Sequence, residues 1–238
     1  MEAKRFLPII NSKKVTLASY RDDIFDLDTN QLIQNYMAIC KKNNVKLLNN
    51  FTVERIEFHN NKWIVRSSST ELFSANIVNS AGAWADNVAI MAGLNPINLT
   101  PYRRSMVRVP MPSSFNTNYW PFITGPQEDW YAKPDAGQLL ISPADEDPSD
   151  PCDAWPDDLV LAEGIARFEE NVSIKVKRIS ASWAGLRTFA NDKNLVIGSH
   201  NDFSTFYWFA GQGGYGFQTA PAASDLLRDL IFGYKTKY

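Results

Sequence analysis

Cysteine and histidine are scarce in this chain, and their scarcity closes off whole classes of chemistry. Cys40 and Cys152 stand alone in 238 residues, so neither a disulfide framework nor a thiolate metal set is available. Only His59 and His200 are present, and neither falls in an H-E-x-x-H, G-x-S-x-G or P-loop context. His59 sits in a polar turn and His200 follows Gly198-Ser199 near a loop. Long apolar runs are also missing. The N-terminal run Phe6-Leu7-Pro8-Ile9-Ile10 is too short for a signal peptide, and no stretch approaches the roughly 18 apolar residues of a membrane span. Charge of one sign is absent too. A net charge of -2 offers no footprint for nucleic acid or an anionic membrane. These absences lead us to expect a cytoplasmic protein with no metal, no nucleic-acid partner and no membrane span.

What is present is an apolar content of 45% with 13% aromatic residues, which suits a globular chain with a sizeable core. Asp28 with Gln31 three residues on resembles a capping box. Leu32, Tyr36, Ile39 and Cys40 then fall on one helical face. Strands are expected at Val45 to Leu48, Phe51 to Phe58 and Lys62 to Arg66, the last two joined by a turn at His59-Asn60-Asn61. A short strand at Asn76 to Ser80 leads through Gly82 into a helix carrying Trp84, Val88 and Met91 and stopped by Gly93. From Thr100 to Asp150 prolines punctuate short apolar runs, which predicts an antiparallel sheet in a second lobe. The acidic residues from Asp145 to Asp158 lack calcium-loop spacing and read as a solvated loop. Helix resumes near Asp158, and strands are expected at Val172 to Ile179 and Leu195 to Gly198.

The stretch Phe203 to Leu230 is the most informative. An aromatic strand enters a turn with Gly211, Gly213, Gly214 and Gly216, and an amphipathic helix follows. This places backbone N–H groups and a helix N-terminus at one point, a natural location for negative charge. The spacing Gly211-x-Gly213-x-x-Gly216 matches a dinucleotide fingerprint, but the βαβ unit and acidic residue which that motif requires do not follow. The turn either packs a helix on a strand or approaches a ligand closely. Elsewhere arginines stand among aromatics: Arg104 with Tyr131, and Arg187 between Trp183 and Phe189. Each is either half of an internal ion pair or an anchor for a carboxylate. Anchors without an acid, base or nucleophile point to a cofactor as the carrier of the chemistry.

Five stretches in order carry a resemblance: Asn79 to Ala85, Lys133 to Gly137, Ser142 to Asp145, Trp183 to Arg187 and Gly211 to Gly216. Together they resemble the D-amino-acid oxidase-like superfamily of FAD enzymes, and within it the D-arginine dehydrogenase type. The resemblance implies an α/β (α+β) fold in two lobes: a partial FAD-binding lobe of residues 1–98 and 185–238, and an antiparallel substrate lobe of residues 99–184. It implies FAD as cofactor and oxidation of a D-amino acid at its α-carbon. Ser80, Ala81, Gly82, Gly211, Gly213, Gly214, Tyr215, Gly216 and Gln218 match cofactor-side positions; Arg104, Tyr131, Arg187 and Gly214 match substrate-side ones. The family's opening G-x-G-x-x-G unit has no counterpart before Asp26, so the chain resembles the C-terminal part of such an enzyme. The expectation is weak FAD binding by this chain alone and an exposed apolar edge. A complementary N-terminal FAD-binding chain is an implied partner, and a non-catalytic binding or scaffold module is the alternative.

Overall fold

The computed structural model describes residues 2–238. In chain order it has α1 (Thr29–Lys42), β1 (Arg55–His59), β2 (Lys62–Arg66), β3 (Glu71–Ser74), β4 (Ile77–Asn79) and α2 (Ala85–Met91). The middle of the chain holds β5 (Thr100–Pro110), β6 (Ile123–Thr124), β7 (Tyr131–Asp135), β8 (Gln138–Ser142), β9 (Asp147–Pro148), α3 (Asp158–Asn171) and β10 (Ala181–Phe189). It ends with β11 (Val196–Ser199), β12 (Phe206–Ala210) and α4 (Gly216–Phe232). This mixture of helices and largely antiparallel sheets is the α+β class expected, and it divides into two units.

One unit comprises residues 1–22 and 101–187. Its sheet has the order β10-β5-β8-β7-β6, with β9 paired to β5. Ala136 and Gly137 join β7 to β8 with φ of 46° and 79°, the twist a two-residue hairpin needs. Alternation on β5 turns Ser105, Val107 and Val109 inward, where the two valines meet Leu139, Ile141 and Phe168 of α3. Asp157 caps α3 through the N–H groups of Leu159 and Val160. The N-terminal segment completes this core with Leu7 and Ile9, and Ser173 donates to the Ile9 carbonyl at 2.7 Å. Residues 2–22 thus pack with 101–187, whereas the sequence reading grouped them with the glycine-turn lobe.

The other unit comprises residues 23–100 and 188–238. β1, β2 and β3 form an antiparallel meander, turned at Asn60 and Asn61 with φ of 48° and 59°. β11, β12 and β4 form a second sheet in which β12 runs antiparallel to β11 and parallel to β4. Val196–Ser199 and Ile77–Asn79 therefore share one sheet, with β12 between them. Trp63 is fully buried against Phe206, and its indole N–H reaches Thr205 Oγ1 at 3.0 Å. Ala85 and Ala89 bring α2 onto the same core.

Three expectations fail. Val45 to Leu48 forms no strand, because no neighbouring strand supplies a ladder, and Val45, Leu47 and Leu48 stay exposed. Pairing in β1 begins only at Arg55. Val172 makes one isolated bridge to Ile10, and the residues up to Ile179 follow as irregular chain. There Glu169 of α3 holds the Val176 N–H at 2.6 Å and Lys175 Nζ at 2.8 Å, taking the place of a ladder. Burial opposes the charge on Glu169, but these donors outweigh it and hold its pKa below the ordinary value.

Candidate functional site

The 23–100/188–238 unit brings two turns to one edge. β4 and β12 are parallel neighbours, so the turn after Asn79 and the turn after Ala210 both leave from the C-terminal ends of their strands. Ligands of open α/β sheets gather outside such ends. Asn79 is buried and staples the first turn, donating to the Ala85 carbonyl at 2.8 Å and accepting from the Ala81 N–H at 3.3 Å. Gly82 follows with φ of 57°, and open space surrounds the position a Cβ would take. Its glycine is required by conformation alone.

The second turn is built differently. A Cβ on Gly213 would lie 2.3 Å from the Phe189 ring, and one on Gly211 would lie 3.1 Å from the Asn194 carbonyl oxygen. Both have positive φ, and the Gly213 N–H donates to the Thr188 carbonyl at 2.9 Å. These two glycines therefore serve internal packing. The outward part of the turn is Gly214, Tyr215 and Gln218, all exposed, with Gly216 as the first residue of α4. Tyr215 provides no side-chain cap, and the first-turn N–H groups of α4 have no acceptors within the helix. Ser80 is likewise exposed, and Ala81 is half-buried. The edge offers unfilled backbone donors and the positive end of a 17-residue helix.

The 101–187 unit has, by itself, a sheet face of candidate residues. Arg108 pairs across with Leu140, and Leu140 with Lys133, so these three share one face, opposite the α3 core. Steps of two add Arg104 on β5 and Tyr131 on β7 to that face. Trp183 of β10 joins them, because the Arg108 guanidinium lies 5.6 Å from its ring centre. Two residues at a time, Gly185 and Arg187 follow on β10. Ser180 bonds to the Arg108 carbonyl at 2.9 Å and β10 then runs back along β5, which carries Arg187 toward the Arg104 end. The face thus collects Arg104, Tyr131 and Arg187 from three strands; Tyr131 stacks on Phe122 at 5.4 Å.

The two candidate anchors are not equivalent. Arg104 is mostly buried and pairs with Glu146 at 2.8 Å. Arg187 is half-buried, and among the described residues no carboxylate reaches it. Nearby, Asp145 is buried rather than solvated: it accepts from the Ser105 N–H and Oγ, both at 2.7 Å, and lies 3.5 Å from Arg103. Arg103 also reaches Asp147 at 2.7 Å. Burial works against its charge, but Asp147 and Asp145 outweigh that and raise its pKa. The expected solvated loop therefore holds for the exposed Glu146 and Asp147 but fails for Asp145, which is buried on Ser105 and Arg103. The mirrored runs Arg103-Arg104-Ser105 and Asp145-Glu146-Asp147 were the available signal. His200 is buried with both ring nitrogens engaged, by the Asp202 N–H and the Asn95 carbonyl, a structural role. His59 is exposed. No cluster that could hold a metal occurs among the described residues, and no helix there is long and apolar enough to cross a membrane.

The family described as FAD dependent oxidoreductase matches residues 2–230, and the chain belongs to it. A bovine (Bos taurus) relative, FAD-dependent oxidoreductase domain-containing protein 1, is 26% identical over 66% of this chain and 35% of its own length. Glycine oxidase of Bacillus subtilis is 23% identical over 90% of this chain and 56% of its own. Among solved structures, L-proline dehydrogenase from P. horikoshii superposes with a TM-score of 0.83 at 24% identity, covering 99% of this chain and 64% of that one. The chain thus spans about a third to a little over half of the length of these two curated relatives. FAD is the cofactor of the family, and the residues present fit one part of it: the uncapped N-terminus of α4 and the Gly214 amide suit an electron-rich ring edge.

Proposed function

We propose that the chain forms part of an FAD-dependent oxidoreductase that oxidises an amino acid at its α-carbon, giving an imino acid that hydrolyses to a keto acid. The carrying observation is Arg187, a half-buried guanidinium with no carboxylate partner among the described residues, on an aromatic sheet face. Such a group is costly unless an anion completes it, and its planar fork suits a carboxylate. FAD, when bound, supplies the acceptor for the hydride. Arg187 fixes the substrate carboxylate and so the direction of the α-C–H bond. Tyr131 and Trp183 line the face and exclude water from one side of the ligand. The first-turn N–H groups of α4 and the Gly214 amide stabilise negative charge at the cofactor edge. A D-amino acid, of the D-arginine kind, is the substrate we propose from the sequence resemblance. Arg187→Ala in the flavin-loaded enzyme is expected to raise KM about 100-fold while the melting temperature stays within ~2 °C. An unchanged KM and kcat would remove Arg187 from the site.

A second reading concerns partners. α1 buries none of its residues, and Ile33, Met37 and Ile39 lie exposed beside the unpaired stretch Val45 to Leu48. This supports a complementary FAD-binding polypeptide that covers them. Flavin absorbance near 450 nm in the purified chain, measured alone and after co-expression with candidate partners, tests it. Full flavin loading of the chain by itself would count against a partner.

A further inference from the structure

The pairing of Glu146 with Arg104 bears on how the proposed amino-acid substrate is read, and it rests on that reading. Asp145 and Asp147 hold the backbone on either side of Glu146: one binds Ser105 and Arg103, the other Arg103. Arg103 and Asp147 are cross-strand partners, so both aspartates point to the Ser105 side. Glu146, between them, must point to the opposite side. That is the face of Arg104, Tyr131 and Arg187. Its Oε1 takes Arg104 Nη2 at 2.8 Å, the side chain is half exposed, and Oε2 has no partner among the described residues.

Arg104, in contrast, is only 12% exposed, and its buried Nε donates to nothing in the structure's described residues. A guanidinium already matched by a resident carboxylate is a weak anchor for a second one, because the pair is close to neutral. The same pair presents a carboxylate oxygen, oriented from behind by a cation, to whatever lies on the sheet face. A substrate held by its carboxylate on Arg187 would bring its α-ammonium to an acceptor of this kind.

We infer that Glu146 accepts the substrate's α-ammonium group, and that Arg104 is a positioning residue that holds Glu146 rather than a second carboxylate clamp. The site then selects zwitterionic α-amino acids over plain carboxylic acids, since an acid without an amino group gives Glu146 Oε2 no donor.

The test is binding to the full 238-residue chain, followed by calorimetry and by tryptophan fluorescence, with each enantiomer of alanine and with propionate. The wild type is expected to bind one alanine enantiomer more tightly than propionate. Glu146→Gln is expected to weaken alanine about five- to twentyfold and to leave propionate unchanged or tighter. Glu146→Asp is expected to restore part of the preference, and near-ultraviolet circular dichroism verifies that each variant is folded. Tightening of both ligands together would overturn the inference, because Glu146 would then be a place-holder on Arg104. An unchanged ratio, or a wild type that binds neither ligand, would also overturn it. A flavin-loaded enzyme that oxidises amino acids while Glu146→Gln keeps the ratio sinks the inference alone. A shifted ratio with no oxidation sinks the proposed function alone.

Discussion

The two units cover their apolar surface to different degrees. In the 101–187 unit the inner face of the sheet lies under α3 and the N-terminal segment, and the open face carries arginines, lysine and aromatics. In the other unit the core around Trp63 is closed, yet α1 is a capped 14-residue helix with no buried residue. Capping and periodicity are local properties of a sequence, and α1 satisfies both without any surface of the unit to receive its apolar face. A helix of that length draws most of its stability from packing rather than propensity. The contrast therefore separates elements held by packing within their unit from an element held by its own caps and helical bonds.

The largest expected effects lie in the closed cores. Phe168→Ala and Trp63→Ala should each lower unfolding free energy by about 3–5 kcal/mol, and Trp63 also leaves Thr205 without its indole donor. Urea unfolding measures both, and a cost below ~1 kcal/mol for either would show that its core is not closed. Next comes Gly213→Ala, at about 1–3 kcal/mol, since its Cβ must displace the Phe189 ring. Gly82→Ala has conformational strain but no clash and should cost about 1 kcal/mol; equal costs would erase the distinction between a packing turn and an open one.

Smaller again is the acid limb of stability. The native pKa of Glu169 lies below its ordinary value, so its contribution is complete above that value and is lost as pH falls through the native pKa. Glu169→Gln should remove about 1 kcal/mol at neutral pH and flatten the loss on acidification, as thermal melts from pH 7 to pH 3 would show. The smallest effect belongs to α1. Ile33→Ala should cost no more than ~0.5 kcal/mol in the isolated chain, while Ile33→Glu should reduce self-association seen by light scattering. A cost above ~2 kcal/mol would mean that α1 is covered after all.

Much of this architecture was readable because its signals are local. Asp28 caps α1 through Gln31, Asn60-Asn61 turns the hairpin, and Phe206 to Ala210 enters the glycine turn, all within a few residues. The errors share a different cause. Val45 to Leu48 has strand composition, but a strand also needs a neighbour, and no residue pattern announces that none is supplied. Val172 to Ile179 alternates, yet Glu169 claims its backbone instead. The arginines were identified as ion-pair halves or anchors with no way to decide between them. The difference came from long-range contacts: Glu146 pairs with Arg104, while among the described residues no carboxylate reaches Arg187.

The parallel ladder of β4 and β12 has a consequence for biosynthesis. Val78 pairs with Tyr207, about 130 residues later in the chain. A ribosome adding ~5–20 residues per second needs roughly 6–26 s to deliver the second strand after the first. Throughout that interval β4 has emerged without the partner that completes its sheet, while the 101–187 unit is being made and can fold. The turn after Asn79 and the turn after Ala210 come together only when residues 206–216 have been made. The edge that carries both turns therefore forms only after Phe206 to Ala210 has been made, and nascent chains stalled before Phe206 should be held by chaperones longer than chains stalled after Ala210.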